Sequence, residues 1–166
     1  MPYDMHRVFF ATPLELEDER KALHEIVSEF NEQVAMPAGV LLVTVSLPQT
    51  MVDKRAYQAA VLENIRDARY YVQFLEDSWG PPTRNFERDY AMARKYAAEG
   101  TNACKKTALL FKKPLLPHRV DPDVVALKQC LVGNALVEFE SATDLKALIR
   151  PMLETLLREL TAATAP

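Results

Sequence analysis

Two carboxylates and a tryptophan stand close together in the stretch DSWGPPTRNFE, residues 77–87. Asp77 follows an apolar run, Trp79 leads into a Gly80-Pro81-Pro82 corner, and Glu87 opens a helical pattern. Cleavage of a glycosidic bond needs this kind of set. One carboxylate stabilises or attacks an oxocarbenium-like centre, and a second handles a proton or holds a sugar hydroxyl. Glu87 fits the first role and Asp77 the second, while Trp79 could stack on a base or sugar. Each residue also has a plainer reading. A carboxylate in the first turn of a helix complements the helix dipole, worth about 0.3–1 kcal/mol, with Thr83 or Asn85 as the cap. A tryptophan in a loop can close over the core, because aromatic rings seek burial. The residues alone leave both readings open.

Other chemistries have no comparable constellation. His6, His24 and His118 share no zinc-site or iron-site spacing with cysteines or carboxylates, so no metal is expected. Ser46 and Ser78 lack the strained elbow of a serine hydrolase. Cys104 and Cys130 carry no reactive-cysteine motif and need no pairing in a chain of this size. The chain has four glycines, too few and too scattered for a dinucleotide fingerprint or a phosphate loop. No resident cofactor is expected.

The elements that must position residues 77–87 follow from the hydrophobic pattern. Apolar runs at Arg7–Ala11, Val40–Leu47, Ala68–Glu76, Lys105–Lys113 and Asn134–Glu140 read as strands; the continuous ones suit burial on both faces. Between them lie helical stripes. Leu16, Leu23, Val27, Phe30 and Val34 recur at helical spacing, with Glu15, Glu17, Asp18 and Glu19 in the first turns, where the dipole favours them. Residues 53–67 turn Tyr57, Val61 and Ile65 to one side, and residues 84–99 do the same with Phe86, Tyr90, Ala93 and Ala97. Asp121 caps a short helix from Pro122 to about residue 131. Ser141 and Asp144 form a capping box ahead of the last helix, in which Pro151 predicts a kink or restart. Strand and helix alternate five times. That predicts a three-layer, flavodoxin-like parallel sheet in the order 2-1-3-4-5, with a ligand crevice where strands one and three diverge. The segments after strands one, two and three would converge there.

Bulk properties set the limits. The chain has 166 residues, enough for one domain over residues 1–160 with a frayed tail at 161–166. Twenty basic residues against 23 acidic ones give a net charge of −3, so a nucleic-acid partner has no electrostatic footprint. No run of apolar residues is long enough for a membrane span and no signal peptide opens the chain, which makes the cytoplasm the expected compartment.

The order of these pieces resembles the DUF4062 family. RVFFATPLELEDERKAL looks like its opening, where a strand leads into a helix start bearing Glu19-Arg20. VLENIRDARYYVQFLEDSWG resembles its helix, strand and glycine turn, and NFERDYAMARKYA its glutamate-bearing helix. The likeness spans roughly residues 6–112 and is shared with TIR domains and, more distantly, nucleoside 2-deoxyribosyltransferases. It implies a TIR-like fold in which Glu87 matches a glutamate that cleaves the nicotinamide–ribose bond of NAD or acts as nucleophile on a deoxynucleoside. Asp77 is a looser match to the helping aspartate, and Phe10, Ala11 and Thr12 would line the pocket after strand one, with Trp79 and Asn85 completing the ligand-binding set. NAD or a nucleoside would be a substrate rather than a cofactor. The sequence departs from both relatives: Trp79 stands eight residues ahead of Glu87, no Asp-Gly pair precedes Glu87 closely, and residues 11–13 read ATP without a glycine or serine pair.

Two further readings concern partners. A lone TIR-like domain would act through partner proteins or self-assembly, so a non-catalytic signalling domain stands as the alternative function. Leu153, Leu156, Leu157 and Leu160 are more leucine than one helix face needs, which suggests either a homodimer through the last helix or burial of both faces within one chain. A receiver-like regulatory domain would share the strand order but needs an acidic pair after strand one, where ATP stands instead.

Overall fold

The computed structural model describes residues 2–45, 53–80, 85–131 and 136–164. The loop after strand two, the Pro81-Pro82 corner with Thr83 and Arg84, and the start of predicted strand five at Asn134 lie outside the described residues, as does the end of the tail. The elements run β1 (Asp4–Ala11), α1 (Glu17–Phe30), β2 (Val40–Val45), α2 (Lys54–Asp67), β3 (Ala68–Leu75), α3 (Phe86–Glu99), β4 (Lys106–Lys112), α4 (Pro122–Cys130), β5 (Val137–Phe139) and α5 (Leu145–Ala163). All strand pairs are parallel and the order is β2-β1-β3-β4-β5, as the alternation of elements predicts.

The chain runs from β1 out to β2 at one edge, then returns across β1 to β3. The turns leaving β1 and β3 therefore part on opposite sides at the carboxyl end of the sheet, the place where doubly wound sheets hold their ligands. β3 lies between β1 and β4 and is buried along its last five residues. Side chains alternate across the sheet. Val8, Val72, Phe74 and Leu110 point to the layer of α1 and α5, where they join Leu23, Phe30, Leu145, Ile149, Leu153 and Leu156. Phe9, Ala11 and Tyr71 point to the layer of α2 and α3, against Val61, Ile65, Phe86 and Ala93. α4 packs Val124 on Leu75, Leu109 and Phe111 beside that second layer.

Local signals place the ends. Asp53 caps α2 by accepting from the amides of Arg55 and Ala56 at 2.9 and 3.3 Å. The Asp144 carboxylate accepts from the amides of Ser141 and Glu140 before α5, the predicted capping box. Two features differ from the sequence reading, and a third settles on one of its two alternatives. β1 begins at Asp4 rather than Arg7, because its exposed, polar first half pairs with β2 along its whole length. α5 passes through Pro151 as one continuous helix; Pro151 and Ala147 are both exposed, so the carbonyl that proline deprives of a donor is open to water. Leu153, Leu156, Leu157 and Leu160 are all buried within one chain, so α5 keeps no spare leucine face for a second copy.

After α1 the helix widens into a π-helical turn over Asn31–Ala35. There Asn31 donates to the Leu42 carbonyl at 2.8 Å and accepts from the Leu42 amide at 2.9 Å. β2 is an edge strand, and this side-chain amide stands in for the neighbouring strand it lacks.

Candidate functional site

Three segments meet at the carboxyl end. β1 ends in Ala11, followed by Thr12 and Pro13, all buried. β3 ends at Leu75 and runs through Glu76, Asp77, Ser78 and Trp79 to Gly80. α3 starts at Phe86 with Asn85 as its cap, the Asn85 side chain accepting from the Arg88 amide at 3.1 Å. Gly80 is the contact point between them. Its φ of +87° suits glycine, and a Cβ there would stand 2.9 Å from Phe86 Cδ2 and 3.9 Å from Pro13 Cβ. The ring of Phe86 thus lies flush on Gly80, with Pro13 close by. Glu87 is the next residue along the helix.

The predicted residues are distributed unevenly over this junction. Glu87 is exposed in the first turn of α3, and among the described residues no ion pair engages it, since Arg88 reaches Asp89 at 3.6 Å instead. Asp77 is exposed as well; its backbone carbonyl accepts from the Asp121 amide at 2.7 Å, which ties its loop to the start of α4. Trp79 is partly buried, its ring 6.1 Å from that of Tyr90, and it touches apolar side chains of both the α2/α3 layer and the α4 patch. Arg94 lies over the far ring of that pair, 6.0 Å from the centre of Tyr90. Asn85 is exposed, with its side-chain oxygen committed to the cap. Ala11 and Thr12 are buried, at 2% and 8% exposure, so what they offer a ligand is mainly backbone. Phe10 turns to the opposite layer, where its ring meets Phe74 edge-on at 6.2 Å.

Among the described residues, three ion pairs lie in or beside these elements: Arg20 with Glu17 at 2.6 Å, Arg88 with Asp89 at 3.6 Å, and Lys112, at the end of β4, with the buried Glu19 at 2.7 Å. Burial pushes the Glu76 carboxyl above its ordinary range; Lys112 works against this, and Asp77, Glu19 and Glu15 reinforce it. Burial alone would lower Lys112, but its hydrogen bond to Glu19 and the carboxylates around it raise it.

One buried group escaped the sequence reading. Gln73, fully buried in β3, donates to the carbonyls of Ala11 and Phe74, both at 3.1 Å, and accepts from the Tyr71 hydroxyl at 2.7 Å. The only signal was a glutamine within the apolar run ARYYVQFL, a polar residue where the pattern asks for an apolar one. Among the described residues no group of three histidines, cysteines or carboxylates is arranged to hold a metal. No described helix is long and apolar enough to cross a membrane.

No family model matches this chain, and no curated protein matches it. Among solved structures it is similar to a CMP N-glycosidase of Clostridium botulinum, with 15% identity over 87% of this chain and 98% of that one and a TM-score of 0.44. No residue of the site is assigned through that likeness.

Proposed function

We propose that this chain binds a nucleoside or nucleotide at the carboxyl end of β1 and β3 and cleaves or transfers its N-glycosidic bond through Glu87. The observation that carries the reading is the packing of Phe86 on Gly80 and of Gly80 on Pro13, which places the start of α3 beside the turn after β1. The resemblance to TIR-like and deoxyribosyltransferase sequences supports it, because that resemblance puts a reactive glutamate at the start of this same helix.

In the proposed reaction the bond between C1′ and the base nitrogen breaks, and its electron pair leaves with the base: a nucleoside base takes up a proton, whereas the pyridinium of NAD leaves directly as neutral nicotinamide. The cationic C1′ is captured by the Glu87 carboxylate or by water. In the first case a water or an acceptor base then displaces the glutamate and gives up a proton. Asp77 would hold a sugar hydroxyl or pass the proton, and the exposed side of Trp79 would stack on the base. Nearby carboxylates favour the cationic centre over the neutral ground state.

The test is base release. Purified protein incubated with NAD and with each deoxynucleoside should release free base, and Glu87→Gln should slow that release by about a hundredfold or more. Equal release by both proteins, above the no-protein background, would remove Glu87 from the chemistry. A second reading, a signalling or protein-interaction domain without a reaction, is favoured by one observation: Trp79 and Phe86 pack the corner with the protein's own side chains. Absence of release from every substrate by the wild type would favour it.

A further inference from the structure

A side-chain amide is costly to bury, and the one at residue 73 is bonded to main-chain carbonyls of both β1 and β3. β3 is paired on both edges, by β1 and β4, so its main chain has strand partners throughout the centre of the sheet. An apolar residue would fill the space under α2 and α3 without any polar atom to satisfy. Gln73 instead makes three hydrogen bonds that fix its orientation. The two carbonyls it meets, of Ala11 and Phe74, demand its NH₂ group, and the Tyr71 hydroxyl supplies a proton to its oxygen.

The bond to Ala11 matters most. It joins residues 62 apart in sequence and grips the last carbonyl of β1. Thr12 and Pro13 follow at once, Pro13 lies beside Gly80, and Gly80 packs against the ring of Phe86, next to Glu87. We propose that Gln73 is a positioning residue of the candidate site: it locks the turn after β1 to β3 and so sets where the start of α3, with Glu87, stands relative to a ligand. This rests on the function proposed above for its catalytic consequence, but not for its mechanical one.

Asn31 supplies the control, since it is also a buried amide gripping main chain, at the β2 edge away from the junction. Three variants would be compared with wild type: Gln73→Met, Tyr71→Phe and Asn31→Leu. The chain has a single tryptophan, so acrylamide quenching of its fluorescence reports on Trp79 alone. Gln73→Met and Asn31→Leu should each lower the thermal midpoint by several degrees. Only Gln73→Met should also alter Trp79 quenching and reduce kcat for base release about tenfold or more, with KM within about twofold. Tyr71→Phe should move both readouts the same way by less, and it carries the test should Gln73→Met fail to fold. A Gln73→Met or Tyr71→Phe protein that loses midpoint but keeps wild-type quenching and kcat, as Asn31→Leu should, would overturn the proposal. If the wild type releases no base, the proposed reaction falls and quenching alone decides: a change confined to the Gln73 and Tyr71 variants upholds the positioning role, and no change overturns it.

Discussion

The two sides of the sheet are built from different materials. Under α1 and α5 lies a large apolar body in which Phe30, Phe74, Leu23 and the leucines of α5 interlock, with the buried Glu19 of α1 paired to Lys112. Under α2 and α3 the apolar body is smaller, and buried polar side chains enter it: Gln73, the Tyr71 hydroxyl and Asp89. Burying a polar group costs stability unless it is bonded, and even then gains little, so polar residues are not placed for stability alone. Asn31 shows the exception, because an edge strand needs a partner for its outward groups. Gln73 also serves main chain, but at the carboxyl end of β1, where it holds the Ala11 carbonyl. The first layer holds the domain together, and the second holds the turn after β1 and the start of α3 in place.

That division can be broken by mutation. The largest effect is expected in the apolar layer. Phe30→Ala, at a site 1% exposed, should cost about 3–5 kcal/mol in urea unfolding, yet leave Trp79 quenching in the folded protein unchanged. An altered Trp79 signal would mean that the two layers are not independent. Next comes Gly80→Ala, which forces a side chain into positive φ and against the Phe86 ring. It should cost about 1–3 kcal/mol and, unlike Phe30→Ala, shift Trp79 emission. A neutral Gly80→Ala would show that Phe86 can move away freely, and the junction would not be rigid.

Two smaller effects follow from charge. The folded-state pKa of Glu76 is raised by burial, so the native state holds a proton more tightly than the unfolded chain does. Its ionisation therefore destabilises the fold as pH rises above its usual range, and Glu76→Gln should be slightly stabilising at neutral pH, with the gain vanishing below about pH 4.5. A destabilised Glu76→Gln at pH 7 would mean that its attraction to Lys112 outweighs burial. On α1, His24 bonds Thr44 through Nδ1 at 2.8 Å, and burial, with Arg20 nearby, lowers its pKa below the ordinary 6.5. Here the unfolded chain binds the proton first. Stability should fall as pH drops below about 6.5 and level off once folded His24 is protonated too. His24→Gln should flatten that part of the profile; an unchanged profile would assign the slope to other groups.

Much of the fold could be read from sequence because its signals are local. Five apolar runs, four helical stripes and caps such as Asp121 and Ser141 with Asp144 each announce themselves within a few residues, and handedness then restricts the strand order. What escaped reading depends on distant partners. Asn31 acquires its role from Leu42 and a π-helical turn, and Gln73 from Ala11 across the sheet. The side taken by Phe10 follows from the alternation of β1, but only once Phe9 is known to face Tyr71. Of the three segments read as converging, those after β1 and β3 come together at Gly80, Pro13 and Phe86, and the one after β2 lies outside the described residues. The exposure of Glu87 and Asp77 was not legible, because no pattern within DSWGPPTRNFE distinguishes a carboxylate turned to a ligand from one turned to water.

The most direct measurement is an amide chemical-shift map of Glu87→Gln protein titrated with each deoxynucleoside and with NAD, so that binding is seen without turnover. If the α2/α3 side of the carboxyl end is the ligand site, the amides of Ala11, Thr12, Trp79, Gly80, Phe86 and residue 87 should shift together and saturably with one of these ligands, while those of α5 stay fixed. Saturable shifts confined to α1 and α5, or no shift with any ligand, would contradict the account.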